Sequence, residues 1–168
     1  MRKFVAALWA LLLVASIAVE TRAADPDSEL KQAFSQWGSF LVGGTWSGAE
    51  VHGGTHEQRW KWILDKSFLQ VSWTITGDSG MTLFGIDPAT GKLIWWGFDA
   101  EGRVWKGNTT LDNNSWVDEG AAEGKTRSGS WKSSLTKAGP DEMRLDVREN
   151  VVDGKVFPPE ILVLTRKK

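Results

Sequence analysis

The 168-residue sequence has no cysteine and no tyrosine. Without cysteine there is no disulfide, no thiol catalysis and no cysteine to carry the lipid of a bacterial lipoprotein. Stability must then come from core packing alone, which a chain of this length can supply. Blocks of Lys and Arg are missing as well. A nucleic-acid or anionic-membrane partner would therefore meet no electrostatic footprint. Histidine occurs twice, at His52 and His56. Two ligands are too few for a structural zinc site, so a carboxylate such as Glu50 or Glu57 would have to join them. Polar residues flanking a turn explain the pair more simply, and no metal or cofactor is expected.

What is abundant is tryptophan, with 11 Trp beside 7 Phe. The N-terminus is equally distinctive. Arg2 and Lys3 precede the apolar run "FVAALWALLLVASIAV", and "ETRAAD" then places Thr21 and Ala23 where a signal peptidase accepts small residues. The run is shorter than the roughly 20 residues of a spanning helix. The expectation is a signal peptide over 1–23, cleavage after Ala23, no membrane insertion afterwards, and a periplasmic or secreted bacterial protein. The remainder, 24–168, is sized for one domain. It carries 17 basic and 20 acidic residues.

Within it, "DPDSELKQAFSQWGSFL" predicts a helix over about 26–41, opened by Asp25 and Pro26. Leu30, Phe34, Trp37 and Leu41 form its apolar stripe. From residue 44 onward the pattern becomes short alternating runs separated by turn chemistry such as "HGGT", "GDSG", "DPATG" and "VDGK". Connectors this short make consecutive strands antiparallel neighbours. A meander of this length leaves two exposed edges unless it closes. The expected fold is all-β: an up-and-down antiparallel barrel of eight to ten strands with one N-terminal helix. The alternative is an open curved sheet around the helix, as in cystatin-like folds. The stretch "WVDEGAAEGKTRSG" fits either a loop or a poor strand.

"LVGGTWSG" (41–48) follows the helix and opens the first strand, and "EILVLTRKK" closes the chain. Together they resemble the Gly-x-Trp start and basic last strand of lipocalins and the wider calycin superfamily. "FGIDPATGKLIWWGFDAEGRVWKG" also looks like uncharacterised bacterial exported domains with lipocalin-like barrels. The resemblance implies that Trp46 is covered by Arg166 at the closed end of a barrel with a central cavity. It does not imply a ligand. Nitrobindin-like barrels bind haem through a histidine in the C-terminal part of the chain. This chain has none after His56, so haem is not expected.

The candidate ligand-binding residues are Trp60, Trp62, Trp73, Trp96, Trp105 and Trp131, with Arg144 if its charged face turns inward. These indoles either line a pocket for a small hydrophobic or aromatic molecule or simply fill the barrel. A cavity near 300 Å³ separates the two readings. In "LIWWGFD", Ile94, Trp96 and Phe98 make one wholly apolar face, so Trp96 is predicted inside and Trp95 outside. A sugar-stacking surface and a His-based metal site remain as minor alternatives. "GDSG" (77–80) is similar to the nucleophile segment of trypsin-like proteases, but the chain is too short for that fold. No other catalytic signature is present. The reading is thus a monomeric or homodimeric exported binding protein. A structural or stress-related interaction domain with a filled core and an aromatic surface patch is the alternative, and a cavity enzyme comes third.

Overall fold

The computed structural model describes residues 26–51, 53–122 and 128–168. Helix α1 spans Pro26–Leu41. Strands follow at β1 Thr45–Ala49, β2 Thr55–Ile63, β3 Phe68–Ile75, β4 Asp78–Ile86, β5 Leu93–Asp99 and β6 Val104–Leu111. They continue with β7 Ser115–Ala122, β8 Gly129–Gly139, β9 Glu142–Val152, β10 Lys155–Phe157 and β11 Glu160–Lys167. Every pairing is antiparallel. Sequential neighbours pair from β1 to β9, β9 pairs with β11, and β11 returns to β1 through Thr45↔Lys167, Trp46↔Arg166 and Ser47↔Thr165. That last pairing closes a ten-strand barrel and excludes the open curved sheet. β10 lies on the same edge of β9 as β11, the two separated by Pro158 and Pro159, neither of which can donate to the ladder.

β7, whose Trp116–Ala122 belongs to the stretch that sequence reading left undecided, forms a full strand paired on both sides. One bulge has functional weight. Ser133 pairs with Val147 and Lys132 with Glu149, so Arg148 is an extra residue. Without it, alternation would turn Asn150 and Val152 outward; with it, both stay on the inner face that carries Leu145 and Val147.

The helix covers one end of the barrel. Phe34, Trp37 and Leu41 are buried as the apolar stripe predicts. Trp37 Nε1 donates to the carbonyl of Asp112 in the β6–β7 turn at 2.9 Å, and an Arg166 guanidinium N–H donates to the carbonyl of Phe40. The Arg166 guanidinium also lies 4.5 Å over the buried Trp46 ring, whose own N–H donates to the Leu41 carbonyl at 2.7 Å. Beneath the helix the aromatic rings meet edge to face: Phe34 and Trp62 at 5.2 Å, Trp37 and Trp116 at 5.8 Å, Phe84 and Trp116 at 4.8 Å. Each such pair adds about 0.5–1.5 kcal/mol beyond its buried area. Asp25, the predicted helix cap, and the predicted signal peptide lie outside the described residues.

A glycine lets the helix come so close. A Cβ placed on Gly38 would sit 2.0 Å from Cζ2 of Trp62. Gly38→Ala must therefore push the helix off the barrel end or turn the indole aside. We expect a loss of about 2 kcal/mol, as for an overpacked core, although alanine is intrinsically the better helix former. Urea denaturation would measure it. A double variant with Trp62→Ala that recovers none of the loss would disprove the steric cause.

A cavity lined by indoles and guarded by carboxylates

The opposite end of the barrel is open, and a cavity of about 650 Å³ enters there. Its floor is the aromatic layer of Trp60, Phe84 and Leu135, backed by Trp116. Its walls carry Val71, Trp73, Trp95, Trp105, Trp131 and Leu145.

Strand alternation and glycine placement explain how so many indoles fit. Trp73 faces Gly80, Trp95 faces Gly107, and Trp105 faces Gly97 across their ladders. Cβ atoms on Gly107 and Gly120 would come within 2.5 and 2.3 Å of the Trp95 ring. The Trp95 indole thus lies across two neighbouring strands that have no side chains there.

This corrects the expected orientation of the tryptophan pair. Trp95 is inside and buried, and Trp96 is on the outer face with Ile94 and Phe98. The mixed face, Trp95, Gly97 and Asp99, turns inward because the interior is not uniformly apolar: Asp99 has partners there. Arg144 is likewise outside and exposed. Of the predicted ligand-binding residues, Trp60, Trp73, Trp105 and Trp131 come together around the cavity, while Trp62 is taken up by the helix contact.

Indole N–H groups need acceptors when buried, and three find them on their own strand two residues away. Trp116 donates to Asp118 Oδ1 at 2.8 Å, Trp131 to Ser133 Oγ at 2.9 Å and Trp60 to Gln58 Oε1 at 3.0 Å. The last bond settles a chain. An indole can only donate, so it meets the amide oxygen, and the Gln58 amide nitrogen then donates to His56 Nε2 at 2.9 Å. His56 is therefore neutral, with its proton on Nδ1. Burial lowers its pKa, against the pull of Glu50 and Glu160. His52 lies outside the described residues. Among the described residues no three His, Asp or Glu side chains are grouped as metal ligands. The buried N–H of Trp95 has no partner among the described residues.

Two charged sites were not anticipated. At the mouth, the Arg103 side chain is buried among carboxylates. It meets Asp99 at 2.6 Å, Glu101 at 3.0 Å, Asp153 at 3.2 Å and, more distantly, Asp78 at 3.9 Å. Burial alone would raise the pKa of Asp99, yet hydrogen bonds from Trp105 and Arg103 outweigh it and hold the carboxyl below its ordinary value. Burial likewise opposes the charge on Arg103, and the surrounding carboxylates overcome it and raise its pKa. Deeper in, Asp118 on β7 is nine-tenths buried. Thr109 Oγ1 and Trp116 Nε1 both donate to its Oδ1, at 2.6 and 2.8 Å. Burial nevertheless dominates and lifts its pKa to about 7. A single acidic residue in an ambiguous stretch gave little signal. The alternation Trp116, Asp118, Gly120, Ala122 was the available clue.

No family model matches the chain, and no curated protein does. Among solved structures it is similar to EF1p2_mFAP2b bound to DFHBI, at 14% identity over 80% of this chain and 99% of that one, with a TM-score of 0.37. It is also similar to a redesigned β-barrel, mFAP1, bound to DFHBI, at 10% identity over 77% and 97% of the two chains, with a TM-score of 0.34.

Proposed function

We propose that this chain is a lipocalin-like binding protein, exported through a signal peptide over 1–23, that holds a small hydrophobic or aromatic molecule in its barrel. The observation that supports this reading is the 650 Å³ cavity, open at one end and walled by indoles. That volume suits a drug-sized ligand, for which sites run from about 300 to 1,000 Å³. A filled-core interaction domain fits it poorly. The outward row of Met81, Leu83, Trp96, Phe98 and Val104 still supports a second role as a homodimer contact. If so, Trp96→Ser would shift the sedimentation coefficient. No reaction is assigned. His56 and Asp118 line the same cavity, but each bonds its own neighbours and no hydrogen bond joins them.

Titration with the neutral fluorescent probe N-phenyl-1-naphthylamine tests the binding reading. Trp73→Ala and Trp105→Ala should each weaken binding about tenfold, the worth of roughly 1.4 kcal/mol of aromatic contact. Trp96→Ala should leave affinity unchanged. Equal losses for all three variants, or none, would place the probe elsewhere. Native mass spectrometry of protein taken from its own periplasm or culture medium would test export and reveal a co-purifying ligand together, and retention of residues 1–23 would refute cleavage.

A further inference from the structure

The residues lining the cavity do not share the neutrality of its walls. Among the described residues, six carboxylates besides Asp118 face the cavity or its mouth: Glu50, Asp78, Asp99, Glu101, Asp153 and Glu160. Against them stand Arg103, whose charge Asp99 and its neighbours neutralise, and Lys155. Among the described residues Glu50 and Glu160 accept only backbone N–H groups, from Thr76 at 2.9 Å and Val51 at 2.7 Å, and neither forms an ion pair there. A cation is drawn toward this entrance and an anion repelled from it.

An acidic rim alone identifies no ligand. The second observation lies below it. Both hydrogen bonds to Asp118 from the described residues end on Oδ1, and Oδ2 accepts none from them while the residue lines the cavity. No Lys or Arg among the described residues forms an ion pair with it. The same cavity is lined by Trp60, Trp95, Trp105 and Trp131, whose π-faces attract cations.

On the binding reading above, we propose that the ligand is an organic cation, a protonated hydrophobic or aromatic amine, whose ammonium group pairs with Asp118 Oδ2 inside the indole-lined cavity. The amine N–H donates to Oδ2, and the ligand's apolar body lies among the rings. Asp118 must be ionised for this pairing, and with its pKa at about 7 in the empty protein it is mostly protonated at pH 6. Amine affinity should therefore rise about tenfold from pH 6 to 8, with a proton released on binding at the lower pH. The other titratable groups bordering the cavity are His56 and Lys155, together with Arg103 and the six rim carboxylates. Of these, neutral His56 is already engaged by Gln58.

Calorimetric titration with three matched probes decides the matter: 2-(1-naphthyl)ethylamine, the neutral 2-(1-naphthyl)ethanol and the anionic 1-naphthylacetate. The amine should bind at least tenfold more tightly than the alcohol at pH 8, and the carboxylate more weakly still. Asp118→Asn should erase the amine's advantage and its pH dependence while keeping the alcohol's affinity. Should that variant not fold, proton release measured on the unaltered protein, in buffers of different ionisation enthalpy, carries the same information. Alcohol binding without an amine preference would overturn the cation assignment and leave the binding function standing. Failure of all three probes to bind would overturn both.

Discussion

Replacing Asp118 with Asn is expected to make the ligand-free protein more stable above pH 7, by up to about 4 kcal/mol, and no more stable near pH 3. The sign follows from the direction of the pKa change. The carboxyl titrates near 3.8 when the chain is unfolded and at about 7 when folded. The folded protein thus holds a proton that the unfolded chain has already released. This contribution is complete below about pH 4, falls by about 1.4 kcal/mol per pH unit as pH rises toward 7, and is constant beyond. Asparagine is neutral throughout and can offer one oxygen to both Thr109 and Trp116, since both bonds end on Oδ1. Urea unfolding of the two proteins at pH 4, 6 and 8 reads the difference directly, and other titrating groups cancel between them. A difference that does not change with pH would show that Asp118 is not desolvated as the fold implies. Two hydrogen bonds only partly offset the burial of the ionised carboxylate, and perturbed carboxyls of this kind cluster at functional sites.

The second large effect is expected at Arg103. Arg103→Met keeps much of the side chain's bulk and removes the guanidinium that Asp99, Glu101, Asp153 and Asp78 surround. Removing one partner of a fully buried pair costs about 3–5 kcal/mol. Here only Asp99 is buried, at 3% side-chain exposure, whereas Glu101 and Asp153 are 53% and 40% exposed and partly screened. The expected loss is about 2–3 kcal/mol at pH 7. The pairing energy of Asp99 is present above its ordinary carboxylate range and vanishes as acid protonates it, so the gap between the two proteins should narrow below about pH 4. High salt should narrow it too, by screening the exposed carboxylates. Hydrogen exchange should locate the damage at the mouth, where Arg103 joins the β5–β6 turn to the β9–β10 turn through Asp153. A stability loss under 0.5 kcal/mol would mean that water serves these carboxylates as well as the guanidinium does.

Both effects come from residues that a linear reading passes over, and the reason is physical. In "LIWWGFD" the run Ile94, Trp96, Phe98 is more hydrophobic than Trp95, Gly97, Asp99, and pattern alone turns it inward. That inference treats the strand as if its burial were its own property. The decision belongs to strands farther along the chain, because Gly107 and Gly120 clear the volume for Trp95, and Arg103 and Trp105 satisfy Asp99. Asp118 was hidden for a related reason. Its segment is rich in Gly, Ala and Glu, which makes a poor strand in isolation, and it is held as one by ladders to β6 and β8.

Read alone, the sequence specifies the helix and most of the strands, in their order. The 3.6-residue stripe of Leu30, Phe34, Trp37 and Leu41 specifies a helix with one apolar face, and Gly- and Asp-rich connectors too short for crossovers specify an antiparallel meander. These are local properties of the chain, legible where they stand. The tertiary structure decided which face of each strand looks inward, that the barrel keeps a cavity, and which polar groups border it. Such matters depend on volumes and hydrogen-bond partners contributed by residues distant in sequence, as Trp95 depends on Gly120 and Arg103 on Asp153.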